Sequence, residues 1–544
     1  MQSLWIEKER LSLPFPMFGQ GLSWIVFVLA LLLPLNVMAG IRLPAIFGSG
    51  MVLQRDEVIT VWGQGDPGES VTVEFAAQTV KTVSGKEGRW KVQLAALKTS
   101  REGQTMVIRG DNIIKFTDIL VGDVWLASGQ SNMAMTSIKS QEWKDVSASV
   151  KDPLLRIFLV APTKASPLEV VNDCKGTWKR ADAASAGNVS AVGYYFARKI
   201  RAEADIPIGL IDSAWGATLA EYWTSREALL SSPATRPLWE TFQNRVEAFD
   251  PATATPPEEV KKLMAEWRKK MREARSKKER IPRLPLTVGN PSAKRFTPCN
   301  MFNTMIHPIV PFGIRGVLWY QGESNRERAE QYQTLLPIMI ADWRQRWGRA
   351  DLPFYIVQLA NIKGPPTEPG ESVWAELQWA QFKVMRSTKK SGLAVINDGS
   401  DTTLHPREKK KVGDRLARWA LHEVYGKSEL VVSGPLYREA KVKNGQVKVN
   451  FDHADGLKSS NGEALKGFQI AGDDRVWVWA EAVIEDQSVV VSSPEVKKPV
   501  TVRYAWASNP EGANLTNASG LPAPLFKTDD WPGLSHGKLV PDKK

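Results

Sequence analysis

The chain has 544 residues, of which 43% are hydrophobic and 24% are charged, and it contains two cysteines. This composition excludes a disordered, fibrous or disulfide-rich chain, and the length suits roughly three to four domains. The net charge of +12 could attract nucleic acid. However, residues 258–280 interleave acidic with basic residues and carry apolar ones at helical spacing. They predict a solvated amphipathic helix, and we predict no nucleic-acid partner.

An apolar run near the amino terminus, residues 24–34, indicates an export signal. The run is shorter than the ~20 residues that a membrane-spanning helix needs. The small-residue sequence Val37–Ala39 after it fits a cleavage site. We predict that residues 1–39 are a cleaved signal peptide, that the protein is exported to the periplasm or the extracellular space, and that no stable membrane span remains. An uncleaved anchor is the alternative.

The remaining chain divides into three predicted domains. Alternating apolar and polar residues predict an N-terminal β-sandwich-like domain over 40–118. Strands then alternate with helices over 119–428, which predicts an α/β domain with a parallel sheet in a three-layer α/β/α arrangement. A proline-rich, charged segment at about 226–296 interrupts it as an insertion. A second β-sandwich-like domain is predicted over 429–528, followed by a loose tail, 529–544.

The α/β domain supplies the predicted elements that position a site. Its predicted strands are 124–127, 156–160, 208–212, 317–320, 354–359 and 393–396. Its predicted helices are 191–204, 329–347, 373–386 and 407–425. Ligands bind at the carboxyl ends of the strands in such sheets, so the residues just after these strands are the candidate site residues.

Ser131 is the first of these candidates. It follows the apolar strand 124–127 in the sequence Gly129-Gln-Ser-Asn-Met133, where a sharp turn into a helix is predicted. Free backbone N–H groups at such a turn would face an oxyanion formed beside the serine. An ordinary helix cap is the alternative role. The nucleophile elbow of α/β-hydrolases is not matched, because Met133 stands where its second glycine would be.

Two later segments strengthen the nucleophile hypothesis. Asn325 ends the polar cluster after the strand 317–320, and His405 follows the strand 393–396. Acyl transfer needs a nucleophile, a base that takes its proton and a donor for the tetrahedral oxyanion. A serine, a histidine and an amide at the same sheet edge provide one of each.

With these motifs the chain resembles the sialate O-acetylesterase family of SGNH-type hydrolases over nearly all of its predicted mature length. The resemblance is specific, because many motifs agree in the same order. They are residues 43–56, 61–63, 129–133, 191–196, 209–218, 303–306, 319–325, 404–406, 467–471 and 520–523.

The resemblance implies a role for each matching residue. Ser131 corresponds to the nucleophile and His405 to the general base. The backbone of Ser131, the backbone N–H of Gly216 and the side-chain amide of Asn325 correspond to the oxyanion hole. Neighbouring motif residues are possible substrate contacts, namely Gln130, Glu323 and Trp215. The reaction class needs no metal and no cofactor.

Two departures from the family pattern concern the same site. Ala217 replaces the second glycine of the usual Gly-Gly-Thr, which we interpret as a small change. Thr403 stands where many members have an aspartate two residues before the histidine, so the acid that orients His405 is open. We favour Asp401, with Asp398 second; turn capping is an equally good role for either. A Ser–His dyad without an acid is the third possibility.

Other chemistry-bearing residues are less informative. The five histidines are dispersed and predict no metal cluster, and His307 and His422 are predicted to be packed with their hydrogen bonds satisfied. Export would allow one disulfide between Cys174 and Cys299. Some tryptophans are candidate sugar-stacking platforms, although core packing is the commoner role of such residues: Trp215, Trp223, Trp319 and Trp374.

The sequence therefore predicts an exported serine esterase that removes O-acetyl groups from sugars, with an acetylated sugar or glycan as its partner. The substrate would be sialic acid or an acetylated polysaccharide, and an acetylxylan-type esterase is an alternative. A carbohydrate-binding protein that has lost its activity is the alternative from another class.

Overall fold

The structure is a computed structural model that describes residues 40–161, 168–277, 279–283, 285, 287–293 and 296–540. The predicted signal peptide, residues 1–39, lies outside the described residues.

The N-terminal part consists mainly of antiparallel strands. The strands are β1 Val52–Gln54, β2 Ile59–Gln64, β3 Ser70–Phe75, β4 Gln78–Val83, β5 Arg89–Leu94 and β6 Ser100–Arg109. β2 pairs with β5, and β3 pairs with both β4 and β6. Along β5, exposed residues alternate with buried ones, which is the expected pattern of a strand with one face on a core.

The central sheet continues from this part. Its strands are β7 Ile113–Gly129, β8 Lys151–Leu159, β9 Trp178–Asp182, β10 Ile208–Ala214, β11 Gly316–Tyr320, β12 Phe354–Val357 and β13 Ser391–Ala394. Their order is β13-β12-β11-β7-β10-β8-β9. Neighbouring strands are parallel except for β8 and β9. Every residue of β11, β12 and β13 is buried, as expected when both faces of a parallel sheet are covered.

Helices cover this sheet. The α-helices are α1 Ser131–Ala134, α2 Trp143–Val146, α3 Ala183–Gly187, α4 Ala191–Ala204, α5 Arg226–Leu230, α6 Arg236–Glu247, α7 Pro257–Ser276, α8 Ala329–Arg346, α9 Val373–Ser387 and α10 Lys409–Glu423. α4 packs against α10, and α8 packs against α9. The helices predicted from periodicity correspond to α4, α8, α9 and α10. α7 lies in the predicted insertion and confirms the amphipathic helix there.

β7 joins the N-terminal strands to the central sheet without a break. Its first residues pair with β6, and its last residues pair with β10 and β11. The boundary predicted between residues 118 and 119 therefore falls inside one continuous strand. The predicted boundary lies where apolar and polar alternation gives way to strand–helix alternation, but the backbone hydrogen bonding continues through that point.

The C-terminal part is a second β structure with its own core. Its strands are β14 Leu436–Lys443, β15 Gln446–Asp452, β16 Lys458–Ser459, β17 Phe468–Ala471, β18 Val478–Trp479, β19 Glu481–Glu485, β20 Ser488–Ser492, β21 Thr501–Tyr504, β22 Leu515–Thr516 and β23 Phe526–Lys527. Two four-stranded sheets, β14-β15-β20-β19 and β18-β17-β21-β23, contribute to one hydrophobic cluster. This is the layered arrangement that the alternating pattern predicts.

The last described residues are not a loose tail, contrary to the sequence analysis. Asp529 is buried and forms an ion pair with Arg503. The carboxylate of Glu376 on α9 accepts hydrogen bonds from the backbone N–H groups of Leu534 and Ser535, at 2.7 and 2.9 Å. The polar composition of this segment predicts mobility, but a buried carboxylate on a distant helix binds it.

Within the described residues, no helix combines the length and the apolar character needed to cross a membrane.

We predict that Ser535→Ala loosens the carboxyl-terminal segment. The Ser535 hydroxyl donates to Glu376 at 2.5 Å and accepts from the N–H of Glu330 at 3.1 Å. Losing these buried bonds should lower the free energy of unfolding by about 1–3 kcal/mol. Urea denaturation and limited proteolysis with mass mapping measure the effect. Ser460→Ala, at an exposed position, is the control, and equal behaviour of the two variants would contradict the prediction.

Candidate active site

Three strands of the central sheet end at the same level. Ala214 of β10 and Tyr320 of β11 are both register partners of Gly129, the last residue of β7. Gly129 has φ +138°, and a Cβ there would lie 2.2 Å from the carbonyl oxygen of Tyr320. Only glycine fits such an approach. The loops that follow these strands therefore begin side by side.

Ser131 and His405 meet at this edge of the sheet. Ser131 begins α1, and its Oγ lies 2.9 Å from Nε2 of His405. His405 lies in the loop after β13. In the sheet, β12 and β11 lie between β13 and β7. A neutral imidazole in this position can accept the proton of the serine hydroxyl. The structure thus brings the predicted nucleophile and the predicted base together.

Gly216 lies beside the nucleophile. A Cβ built on Gly216 would be 3.4 Å from Cβ of Ser131 and 3.9 Å from its backbone nitrogen. This is the neighbourhood in which an oxyanion donor would stand. The next residue, Ala217, has φ +61°, in the left-handed region where a non-glycine residue costs about 1 kcal/mol. The substitution that the sequence analysis interpreted as small therefore strains the loop directly after Gly216.

Asn325 has several protein partners of its own. Its Oδ1 accepts from the backbone N–H of Ala220 at 3.0 Å and from Gln321 Nε2 at 2.7 Å. Its Nδ2 donates to Glu221 Oε2 at 2.9 Å. These bonds tie the loop after Gly216 to the loop after β11. The second hydrogen of Nδ2 remains for an oxyanion, and the role of Asn325 in the oxyanion hole stays a prediction.

Glu221 is a buried residue that the sequence analysis did not single out. Besides accepting from Asn325, it forms a buried ion pair with Arg328, with Oε1 2.5 Å from Nη2. Such a pair is costly to break, because the partner would be left as an unpaired buried charge. It holds the loop that carries Gly216 in place. The sequence offers no signal for it, because Arg328 stands in a run of charged and polar residues and only the fold brings it to Glu221.

A second buried polar cluster lies behind the nucleophile and was also missed. Asn132 Nδ2 donates to Glu323 Oε1 at 2.5 Å and to the carbonyl of Leu404 at 3.0 Å. Lys409 Nζ donates to Asn132 Oδ1 at 2.7 Å. Leu404 directly precedes His405. The cluster therefore connects the loops after β7, β11 and β13 and anchors the backbone that carries the base.

The other predicted substrate contacts lie at the same edge. Gln130 Oε1 accepts from the N–H groups of Gly322 and Ser324 at 3.3 and 3.4 Å. The backbone N–H of Trp215 donates to the carbonyl of Gly129 at 2.9 Å, and its side chain is half-buried. Glu323 is buried within the polar cluster, so it is a structural partner of Asn132 rather than an exposed contact.

Neither candidate aspartate orients His405. The carboxylate of Asp401 accepts from the backbone N–H groups of Thr403 and Arg407, at 3.0 and 2.9 Å. Asp398 is engaged by Arg415 through two bonds of 2.6 Å. Over the described part of the chain, neither carboxylate forms a hydrogen bond or ion pair with the histidine. The preferred assignment of Asp401 as the orienting acid is thus corrected to turn capping, and the geometry favours the Ser–His dyad.

The electrostatic surroundings keep His405 neutral. Partial burial lowers the pKa of His405 below its usual 6.5, and the nearby ammonium of Lys409 lowers it further. Burial also lowers the pKa of Lys409 to about 7 and raises that of Glu323. Lys409 is therefore protonated in the acidic range where His405 titrates. The base remains in its proton-accepting form to lower pH than a free imidazole does.

Most of the other predicted site features belong to the core. Trp223, Trp319 and Trp374 are buried, so among the candidate stacking residues only Trp215 is partly exposed. Cys174 and Cys299 are buried free thiols and form no disulfide. Among the described residues, three carboxylates that could hold a metal ion are Asp66, Glu69 and Asp111, and they lie in the turns between the N-terminal strands.

A serine and a histidine in hydrogen-bonding contact at the carboxyl edge of a parallel sheet define the class of serine hydrolases. A family model described as carbohydrate esterase, sialic acid-specific acetylesterase matches residues 121–249 and 263–422. The chain belongs to this family of carboxylic ester hydrolases. The match covers the whole site described above.

Similar proteins of known type agree with this membership. The chain is 29% identical to a sialate O-acetylesterase of Mus musculus over 94% of this chain and 98% of that protein. It is 28% identical to a sialate O-acetylesterase of Homo sapiens over 93% and 98% of the two chains. The crystal structure of a carbohydrate acetylesterase from Xanthomonas citri superposes with a TM-score of 0.75 at 33% identity, covering 90% of this chain and 100% of that one.

We expect the two aspartates to be dispensable for the chemistry. Asp401→Asn and Asp398→Asn should each keep at least about a third of kcat, whereas His405→Ala should lose about 10³-fold or more. Steady-state rates of acetate release from a soluble acetylated sugar measure this. A loss of about 10⁴-fold in Asp401→Asn, the size seen when the aspartate of a catalytic triad is replaced, would establish an acid that the structure does not show.

Lys409→Met should move the acidic limb of the pH profile. Removing the ammonium raises the pKa of His405, so the pH at which kcat/KM reaches half its plateau should increase. The lost hydrogen bond to Asn132 should also lower kcat by about tenfold, with little change in KM. Lys410→Met, the exposed neighbour that pairs with Asp414, is the matched control. An unshifted limb in Lys409→Met would contradict the coupling.

Proposed function

We propose that this protein is an exported serine esterase that hydrolyses O-acetyl esters of sugars through an acyl-enzyme intermediate. The observation that carries the proposal is the 2.9 Å contact between Ser131 Oγ and His405 Nε2, in a chain of the carbohydrate esterase family. A binding protein without activity would have no need to retain this contact or the buried clusters that hold it. We therefore favour the enzyme over the non-catalytic alternative.

The first half of the proposed reaction forms the acyl-enzyme. Ser131 Oγ attacks the acetyl carbonyl carbon while His405 Nε2 takes the hydroxyl proton. The oxyanion of the tetrahedral intermediate lies against the backbone of Ser131 and Gly216, with the Asn325 amide as the third donor. When the intermediate collapses, the bond between the carbonyl carbon and the sugar oxygen breaks, and His405 returns the proton to that oxygen. The deacetylated sugar then leaves.

The second half regenerates the enzyme. Water attacks the acetyl-serine carbonyl, and His405 removes one proton from it. Collapse of the second tetrahedral intermediate breaks the bond to Ser131 Oγ, and the proton returns to that oxygen as acetic acid departs and then ionises to acetate. Within the described residues, no acid partner holds the imidazolium ring of His405. The position of the ring therefore depends on the backbone of Leu404, whose carbonyl accepts a hydrogen bond from Asn132.

The substrate class rests on the family and on relatives named as sialate O-acetylesterases. We propose acetylated sialic acid or an acetylated polysaccharide as the substrate, with an acetylxylan-type ester as the variant that differs only in the leaving alcohol. The proposed export rests on the apolar run before residue 40 and its small-residue cleavage site.

Acetate release from 9-O-acetylated sialic acid and from acetylated xylan tests the proposal. Wild type should release acetate from at least one of them, and Ser131→Ala should reduce the rate by about 10³-fold or more. Mass spectrometry of the quenched reaction should find acetyl on the peptide that contains Ser131. Equal rates in wild type and Ser131→Ala would rule the mechanism out. A mature amino terminus near Gly40 on protein recovered outside the cytoplasm would support export, and a retained Met1 would contradict cleavage.

A further inference from the structure

A large cavity lies away from the Ser131 site. Its volume is about 870 Å³, and it opens between the N-terminal strands and the segment that precedes β11. Residues of β2 and β5 form one side, and residues 307–311 form the other. The lining residues used below are Arg42, Phe47, Trp62, Arg89, Lys91 and His307.

The cavity and the Ser131 site lie at different parts of β7. Phe116 of β7 lines the cavity, whereas Gly129 at the other end of the strand leads into the nucleophile. At about 3.3 Å per residue, the intervening strand has a contour of roughly 40 Å. None of the residues assigned to the esterase site lines the cavity. A ligand held here would therefore leave Ser131 free.

One wall of the cavity is aromatic. Trp62 is half-buried, and Phe47 packs edge-on against it with a centroid distance of 4.6 Å. Trp90, by contrast, is buried and donates its indole N–H to the carbonyl of Gln64 at 3.0 Å. Trp62 thus presents a fixed indole with part of its surface accessible. Such a side chain suits an amphipathic ring such as a sugar.

The rim of the cavity is cationic. Arg42, Arg89 and Lys91 are exposed, and within the described part of the chain none of their side chains forms a hydrogen bond or an ion pair with a protein group. Asp173, the carboxylate that also lines the cavity, has Oδ1 engaged by the N–H of Ala45 at 2.7 Å. Asp173 remains an anion and offsets one of the three positive charges, so the lining keeps a net positive charge. Arginine is well suited to bind a carboxylate through two parallel hydrogen bonds.

His307 adds a polar group to the opposite wall. Its Nδ1 is buried and has no hydrogen-bond partner among the described residues, so the expectation of a satisfied, packed histidine is wrong. Burial, Arg346 and Arg89 all lower its pKa. Arg89 of β5 and His307 both line the cavity. A buried polar atom without a protein partner can hydrogen-bond with a bound ligand.

We propose that this cavity is a second carbohydrate site, which binds a sugar residue bearing a carboxylate within a glycan chain. Trp62 packs against the face of the sugar ring, and Arg89 and Lys91 bind the carboxylate, with Arg42 beside them at the rim. The site would retain an acidic glycan on the protein independently of the ester chemistry at Ser131. This inference does not depend on the proposed reaction.

Calorimetric titration of the full chain tests the proposal with probes that carry no acetyl ester, so that no turnover accompanies binding. The probes are trigalacturonate, sialyllactose and neutral cellotriose, which separate a uronic acid, a sialic acid and a sugar without charge. At least one acidic probe should bind about tenfold or more tightly than cellotriose, and its affinity should fall as salt is raised. Equal affinity for all three probes, or no binding of either acidic probe, would overturn the proposal.

Two variants locate the binding. Trp62→Ala and the double variant Arg89→Gln/Lys91→Gln should each weaken the acidic probe by about tenfold or more. The matched control is Lys81→Gln/Lys86→Gln, which removes two exposed lysines of the same domain outside the cavity. Circular dichroism and thermal melting check Trp62→Ala, whose indole packs on Phe47, and the double variant changes only exposed side chains. If the double variant and the lysine control bind equally, the site lies elsewhere.

Acetate release by the same variants, with Ser131 intact, distinguishes the function of the cavity from that of the Ser131 site. Arg89→Gln/Lys91→Gln should leave acetate release from a small acetylated sugar within about twofold of wild type, because a small substrate does not reach the cavity. Loss of both binding and small-substrate turnover would mean that the cavity supports the fold rather than a separate ligand.

Discussion

The site depends on the register of three parallel strands. β10 and β11 both end opposite Gly129 of β7, so the loops that carry Gly216, Ser131 and Asn325 begin at one point of the sheet. A slip of one residue in either pairing would send alternate side chains to the opposite face. The close approach of Gly129 to Tyr320 and the burial of every paired residue of these strands except Ala214 set that register.

Buried polar groups then fix the loops that the register brings together. The Glu221–Arg328 pair and Asn325 join the loop after β10 to the loop after β11. Asn132, Glu323 and Lys409 join the loops after β7, β11 and β13. The second cluster positions His405 through a hydrogen bond to the adjacent backbone carbonyl of Leu404. In a catalytic triad the acid instead hydrogen-bonds to a ring nitrogen of the histidine. Lys409 acts on His405 in two ways, because it hydrogen-bonds to Asn132 in this cluster and its ammonium lowers the pKa of His405.

The continuous strand β7 relates the esterase site to the second cavity. Its first half belongs to the sheet of the N-terminal strands, and its second half is the centre of the hydrolase sheet. One hydrogen-bonded strand therefore runs from the cavity to the Ser131 site. An enzyme that acts on a long acidic glycan would use such spacing to hold the chain at one point and deacetylate it at another.

The local pattern of the sequence determined five long helices and six of the seven strands of the central sheet, all but β9, because hydrophobic periodicity reflects burial directly. The motif match determined Ser131, Gly216 and His405 as members of one site. Only the tertiary structure decided that Asp401 caps a turn, that Asn132 and Lys409 anchor the base, and that residues 529–540 are bound. Those outcomes depend on which buried polar group reaches which partner across distant segments, and neither spacing nor composition encodes such contacts.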